Sequence, residues 1–132
     1  MVAWPLVVPQ VLLSMTNLIM AAALSGTILV HDAFPAVLAT YPERRDPSVA
    51  GYIATNDCTQ LGQRFVLVRK GQPDVLVAVA DCAWAHHVEW RNQHGYIADV
   101  DNALWAGAWV PQHAELWTVD AREWWTETEW IN

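Results

Sequence analysis

The apolar positions of this chain fall into three regimes. Residues 1–30 are almost continuously apolar and carry no Asp, Glu, Lys or Arg, whereas residues 31–48 are interrupted by Pro35, Pro42 and Pro47. From Val49 onward, short apolar runs alternate with turn residues. The clearest run is Asp74 to Cys82, in which Val75, Leu76, Val77, Ala78, Val79 and Ala80 follow Gly71-Gln72-Pro73 and precede Asp81-Cys82. A short β-branched run bounded by turn residues predicts a strand buried on both faces. Val49–Thr55, Arg64–Arg69, Ile97–Val100 and Ala114–Val119 predict further strands, and Gly51 within the first suggests a bulge or a close backbone approach. Ala83 to His94 is helical or looped and ends at Gly95, as a C-cap would. Asp101-Asn102 predicts an N-cap for a short helix over 103–106. Many short strands with one or two short helices make a mainly β fold, a small β-barrel.

The first regime has three readings. Gln10 to Val30 is 21 residues without a charge, about the length that crosses roughly 30 Å of hydrocarbon as a helix. A transmembrane-type anchor over 1–30 is therefore the leading expectation. Ala21-Ala22-Ala23 suits a signal-peptide cleavage site, but the segment lacks a basic start. The small residues from Ala21 to Gly26 would also let another helix approach closely, as in an assembly helix. The prolines of 31–48 exclude a continuous helix through that span and predict an extended linker or a draped arm. The barrel domain is then expected over 49–120 and a Trp-rich tail over 121–132.

Charge narrows the partners. The 7 basic and 14 acidic side chains all follow residue 31 and leave a formal net charge of −7. An acidic domain repels phosphate backbones, so nucleic acid is excluded as an expected partner. Expected partners are the membrane, other protein subunits and a cell-wall glycan. Arg44 and Arg45 after the apolar segment favour a cytoplasmic domain by the positive-inside rule. The cysteines, weighed above that two-residue signal, favour an extracytoplasmic one at the periplasm or cell surface. Cys58 and Cys82 are the only two, and each directly follows an aspartate at a predicted strand end. Downstream of an export segment they are expected to form a disulfide, with free buried thiols the alternative.

The order of elements carries a resemblance. A Gly-containing strand followed by a Cys, an alternating strand, the V-x-V-x-D-C strand, a variable insert, and an A-D-V-D strand with a short helix occur in that order. This order resembles the six-stranded double-psi β-barrel of the rare lipoprotein A, expansin and family 45 endoglucanase group. The resemblance covers about residues 49–120 and implies a groove that binds polysaccharide or peptidoglycan chains. Asp99, in Ala98-Asp99-Val100-Asp101, matches the second-strand aspartate of expansins. Asp81 matches the aspartate that opens a rare lipoprotein A motif whose following Arg-Gly-Pro is absent here. Asn56-Asp57-Cys58 echoes the endoglucanase Trp-Asp-Cys without its aromatic.

If this groove cuts glycans, Asp99 is the expected acid and Asp57 or Asp81 the base, since an inverting hydrolase needs a protonated carboxyl and a carboxylate about 6.5–9.5 Å away. The alternative is that Asp81 and Asp99 cap turns at strand ends, as Asp does routinely. Among nine tryptophans, Trp84, Trp90 and Trp109 fall where they would stack on sugar faces. Trp105 and Trp117 fall at core positions, and Trp124, Trp125 and Trp130 suit an interface. A metal set drawn from Cys82, His86, His87 and His94 lacks any C-x-x-C or H-x-x-x-H pair, so neither metal nor cofactor is expected. The incomplete lytic motifs favour a membrane-anchored, non-catalytic binding or assembly subunit. The alternative is a protein that binds or cleaves cell-wall glycan.

Overall fold

A computed structural model describes residues 23–83, 85–105 and 111–124. Six strands, β1 (Ala23–His31), β2 (Gly51–Thr55), β3 (Arg64–Val68), β4 (Val75–Cys82), β5 (Tyr96–Asp101) and β6 (Gln112–Thr118), close into a barrel in the order β1-β5-β2-β4-β3-β6. Pairs β1·β5 and β2·β4 are parallel, and the other four are antiparallel. Helix α1 (Phe34–Thr40) follows β1 and helix α2 (Ala85–Gln93) follows β4. Three 3₁₀ turns occupy Pro42–Arg44, Cys58–Gln60 and Asn102–Leu104.

The expected mainly β fold is therefore present. Alternation along the strands sends Ile28, Ile53, Leu67, Val77, Val79 and Val100 into the barrel, where each is fully buried. The V-x-V run of β4 is buried on both faces, as its composition predicted. Val77 and Val79 point inward, while Ala80 lies with Ala54 beneath Phe34 and Leu38 of α1. Covering that outer face with two large apolar side chains contributes roughly 1.5–3 kcal/mol for each.

Two expectations are corrected. The helix expected over 1–30 does not extend through 23–30, which belong to β1; the part over 1–22 lies outside the described residues. Those strand residues hydrogen-bond to β5 on one side and β6 on the other, so the barrel begins at Ala23 and not near Pro47. The span 31–48 is not an extended linker. Pro35 stands in the first turn of α1, where its missing N–H costs little, and the helix packs on the barrel wall. Of the tail expected over 121–132, residues 121–124 are helical and 125–132 lie outside the described residues. Among the described residues, no helix is long and apolar enough to cross a membrane.

The fold also contains a repeat. Gly51-Tyr52-Ile53-Ala54 recurs 44 positions later as Gly95-Tyr96-Ile97-Ala98. Six positions after each glycine stands an aspartate whose carboxylate accepts a backbone N–H, from Thr59 for Asp57 and from Ala103 for Asp101, and so caps a 3₁₀ turn. The chain thus runs twice through strand, helix, strand, 3₁₀ turn and strand. Raising or lowering every strand number by three returns the same set of neighbours. The two halves are therefore related by an approximate two-fold axis between the antiparallel β2 and β5, and that axis exchanges the two ends of the barrel.

Candidate functional site

At one end of the barrel the starts of β1, β3 and β5 meet the ends of β2, β4 and β6. This mouth holds a cavity of about 510 Å³. Phe65, Ile97 and Leu116 provide apolar lining, and Asn56, Gln60, Gln63 and Asn92 add amides, with hydroxyls from Tyr96 and Thr118. Asp57 is the one carboxylate in the lining.

Segment 56–63, which supplies Asn56, Asp57, Gln60 and Gln63 to the lining, is held from both sides. The Cys58–Cys82 disulfide, with Cα atoms 5.1 Å apart, fastens it to the end of β4. Beyond the turn, the Gly62 N–H donates to the Val79 carbonyl at 2.9 Å, and the Val79 N–H donates to the Gln63 carbonyl at 3.0 Å. On the other flank, Asn56 donates to the Asn92 amide oxygen at 3.0 Å and to the Tyr96 carbonyl at 2.8 Å. Its own oxygen accepts from Arg91 Nε at 2.6 Å. Asn56 is thus committed to the frame. The side-chain amides of Gln60 and Gln63 have no hydrogen-bond partner among the described residues, which leaves them available to a ligand.

The three candidate aspartates occupy different settings. Asp57 lines the mouth, but its Oδ1 accepts from the Thr59 hydroxyl at 2.6 Å and the Thr59 N–H at 2.9 Å. Those bonds hold its carboxyl below the usual carboxylate range, which suits a cap and makes it a weaker proton acceptor than an ordinary carboxylate. Asp99 lies between the inward-facing Ala98 and Val100 and so points out of the barrel. There it sits 3.2 Å from Arg91 Nη1 and 3.8 Å from His31 Nε2. Asp81 accepts from the Cys82 N–H at 2.9 Å and lies 3.9 Å from Arg44. Ala54 is in register with Asp81 on one side and Asp99 on the other. Two interstrand spacings therefore place their Cα atoms about 10 Å apart. Neither Asp81 nor Asp99 lines the cavity.

Of the sugar-stacking candidates, Trp84 and Trp109 lie outside the described residues. Trp90 is 54% exposed. Its ring stacks on that of Tyr96, with centroids 5.6 Å apart and planes inclined by 16°, and on His94 at 4.2 Å and 23°. An aromatic platform therefore stands beside the mouth, joined to it through Tyr96. Cys82, the thiolate a metal set would need, is in the disulfide, and His86, His87 and His94 are exposed on α2 and the turn after it.

Gln60, Gln63 and Tyr96 were not among the residues picked out by motif. The signal that marks them is the repeat, because Tyr96 belongs to the second Gly-Tyr-Ile-Ala and Gln60 stands where the other half has Leu104. No family model, curated protein or solved structure matches the chain.

Proposed function

We propose that this protein is a non-catalytic binding module of an oxidising compartment, whose barrel mouth takes an uncharged, hydroxyl-rich chain of the cell-wall glycan type. The observation that carries this reading is the mouth itself, where the Gln60 and Gln63 amides, unpaired among the described residues, line an apolar-floored cavity with the Tyr96 and Thr118 hydroxyls beside the Trp90–Tyr96 platform. Neutral donors and acceptors suit sugar hydroxyls, and an aromatic face suits the apolar face of a pyranose. The disulfide supports an extracytoplasmic site, since such bonds persist where thiols are not kept reduced. The aspartates support binding over cleavage: Asp57 is tied to its own turn, and Asp99 is paired with Arg91 outside the barrel. The strand order supports a double-psi arrangement, in line with the resemblance of the V-x-V-x-D-C strand. A role in assembly is favoured by Leu24, 53% exposed at the mouth, which continues the uncharged residues 1–22 into β1; any attachment to a membrane rests on those same residues.

The test is depletion of the full chain from solution by purified insoluble peptidoglycan, with cellulose as a second polymer. Retention on either without release of reducing ends is the expected result. Release of soluble fragments would overturn the non-catalytic reading, and absence of retention on both would overturn the glycan reading.

A further inference from the structure

We infer that Gln60 is the residue that opens the barrel mouth and that, with Gln63, it binds the ligand there; the ligand half of this inference rests on the binding function proposed above. The two-fold repeat supplies the comparison. Its axis carries one end of the barrel onto the other, so each end shows what the opposite end would be with the other half's residues. At the far end Leu104 is 8% exposed and packs onto Gly51, where an added Cβ would lie 2.6 Å from Leu104 Cγ. Arg69, 6% exposed, donates to the Leu104 carbonyl and, at 2.6 Å, to the Pro73 carbonyl. That end is plugged.

At the mouth the position equivalent to Leu104 is Gln60, and the position equivalent to Gly51 is Gly95. A Cβ at Gly95 would meet nothing within 4 Å, and the cavity of about 510 Å³ lies where the plug would be. The same turn differs at a second position, with Cys58 where the other half has Asn102. One turn is held by a packed leucine and a buried guanidinium, and the other by a disulfide that leaves the Gln60 side chain without a partner among the described residues. A turn fixed in this way presents the Gln60 and Gln63 amides with little backbone ordering left to do on binding, which favours affinity.

The experiment uses the full, oxidised chain, a hexamer of N-acetylglucosamine as the probe, and the variants Gln60→Leu and Gln60→Ala. Each is followed by isothermal titration and thermal unfolding. Gln60→Leu is expected to raise the unfolding midpoint by about 4 °C or more as the leucine fills the mouth, and to weaken hexamer binding at least tenfold. Gln60→Ala is expected to weaken binding less and to lack the gain in midpoint, because it removes the amide without supplying a plug. A Gln60→Leu chain that unfolds at or below the wild-type midpoint, or fails to fold, would overturn the equivalence with Leu104. Unchanged hexamer affinity in Gln60→Leu would overturn the ligand role of Gln60 while leaving the glycan reading intact. A wild-type chain that ignores the hexamer would count against the glycan reading, and a raised midpoint in Gln60→Leu would still uphold the opening of the mouth by Gln60.

Discussion

Removing the disulfide offers a test that reaches both the fold and the site. Cys58 and Cys82 are 24 positions apart. In the chain-entropy account, a cross-link closing a loop of that size removes about 3.5 kcal/mol of freedom from the unfolded state. With about 2.1 cal/mol/K of unfolding entropy per residue over roughly 100 residues, that loss lowers the unfolding midpoint by about 15 °C. The double variant Cys58→Ser/Cys82→Ser should still fold, because Gly62, Val79 and Ala83 keep the backbone hydrogen bonds that join 55–63 to β4 and the residue after it. Scanning calorimetry gives the midpoint, and stopped-flow folding shows where the loss falls. The loss appears as slower refolding where the 58–82 loop is already closed in the transition state, and as faster unfolding where it closes later. A midpoint drop below about 5 °C would refute the magnitude. A loss carried wholly by faster unfolding would place closure of the 58–82 loop after the transition state.

Two further predictions separate causes that look alike. Gly51→Ala should cost about 1–3 kcal/mol in urea unfolding because its Cβ drives into Leu104. Gly95→Ala should cost about 1–2 kcal/mol because Gly95 holds φ +74° in open space. Asn at 95 should recover part of that loss, whereas Asn at 51 should worsen it; equal responses at the two sites would count against the distinction. Under acid, Asp46 and Asp57 should govern part of the decline. The Arg64 guanidinium and Ser48 hold the Asp46 carboxyl far below its ordinary value, and the Thr59 hydroxyl and amide lower that of Asp57. The unfolded chain then binds more protons, so the stability these groups provide is complete above about pH 5 and is lost as pH falls through about 4 toward the folded values. Asp46→Asn with Asp57→Asn should flatten the fall of the urea midpoint between pH 5 and pH 2.5, and an unchanged slope would exclude these two groups as its source.

Five of the six strands were legible because each carries its own local signal, either β-branched alternation or the V-x-V run of β4 closed by Asp81-Cys82. Strand β1 was not. Of its residues only Ile28 is buried, and its apolar sequence continues that of residues 1–22. What makes Ala23–His31 a strand is a place between β5 and β6, some 70–90 positions away in the chain, and no local pattern encodes a partner at that distance. Helix α1 was missed because the proline rule was applied to the whole of 31–48, although Pro35 at a helix start is compatible with a helix. The site was legible only in part. The cysteine pair followed from residue chemistry, whereas the capping role fell to Asp57, where the residues had suggested Asp81 and Asp99, and the mouth glutamines carry no motif. The Gly-Tyr-Ile-Ala repeat would have drawn attention to them, since a search for internal repeats sets Gln60 against Leu104 directly.

The strand order has a consequence for how this chain comes to exist as a folded object. With the halves taken as β1–β3 and β4–β6, all six neighbouring pairs in the barrel join a strand of one half to a strand of the other. Neither half can make a single one of these ladders alone, so a nascent chain released at β3 has no sheet to form. Such interdependence leaves no half-built barrel to accumulate. With the Cys58–Cys82 bond reduced, a cut in the connection between Arg69 and Asp74 should yield two fragments that are each unstructured and together restore the barrel, so the repeated halves act as one cooperative unit.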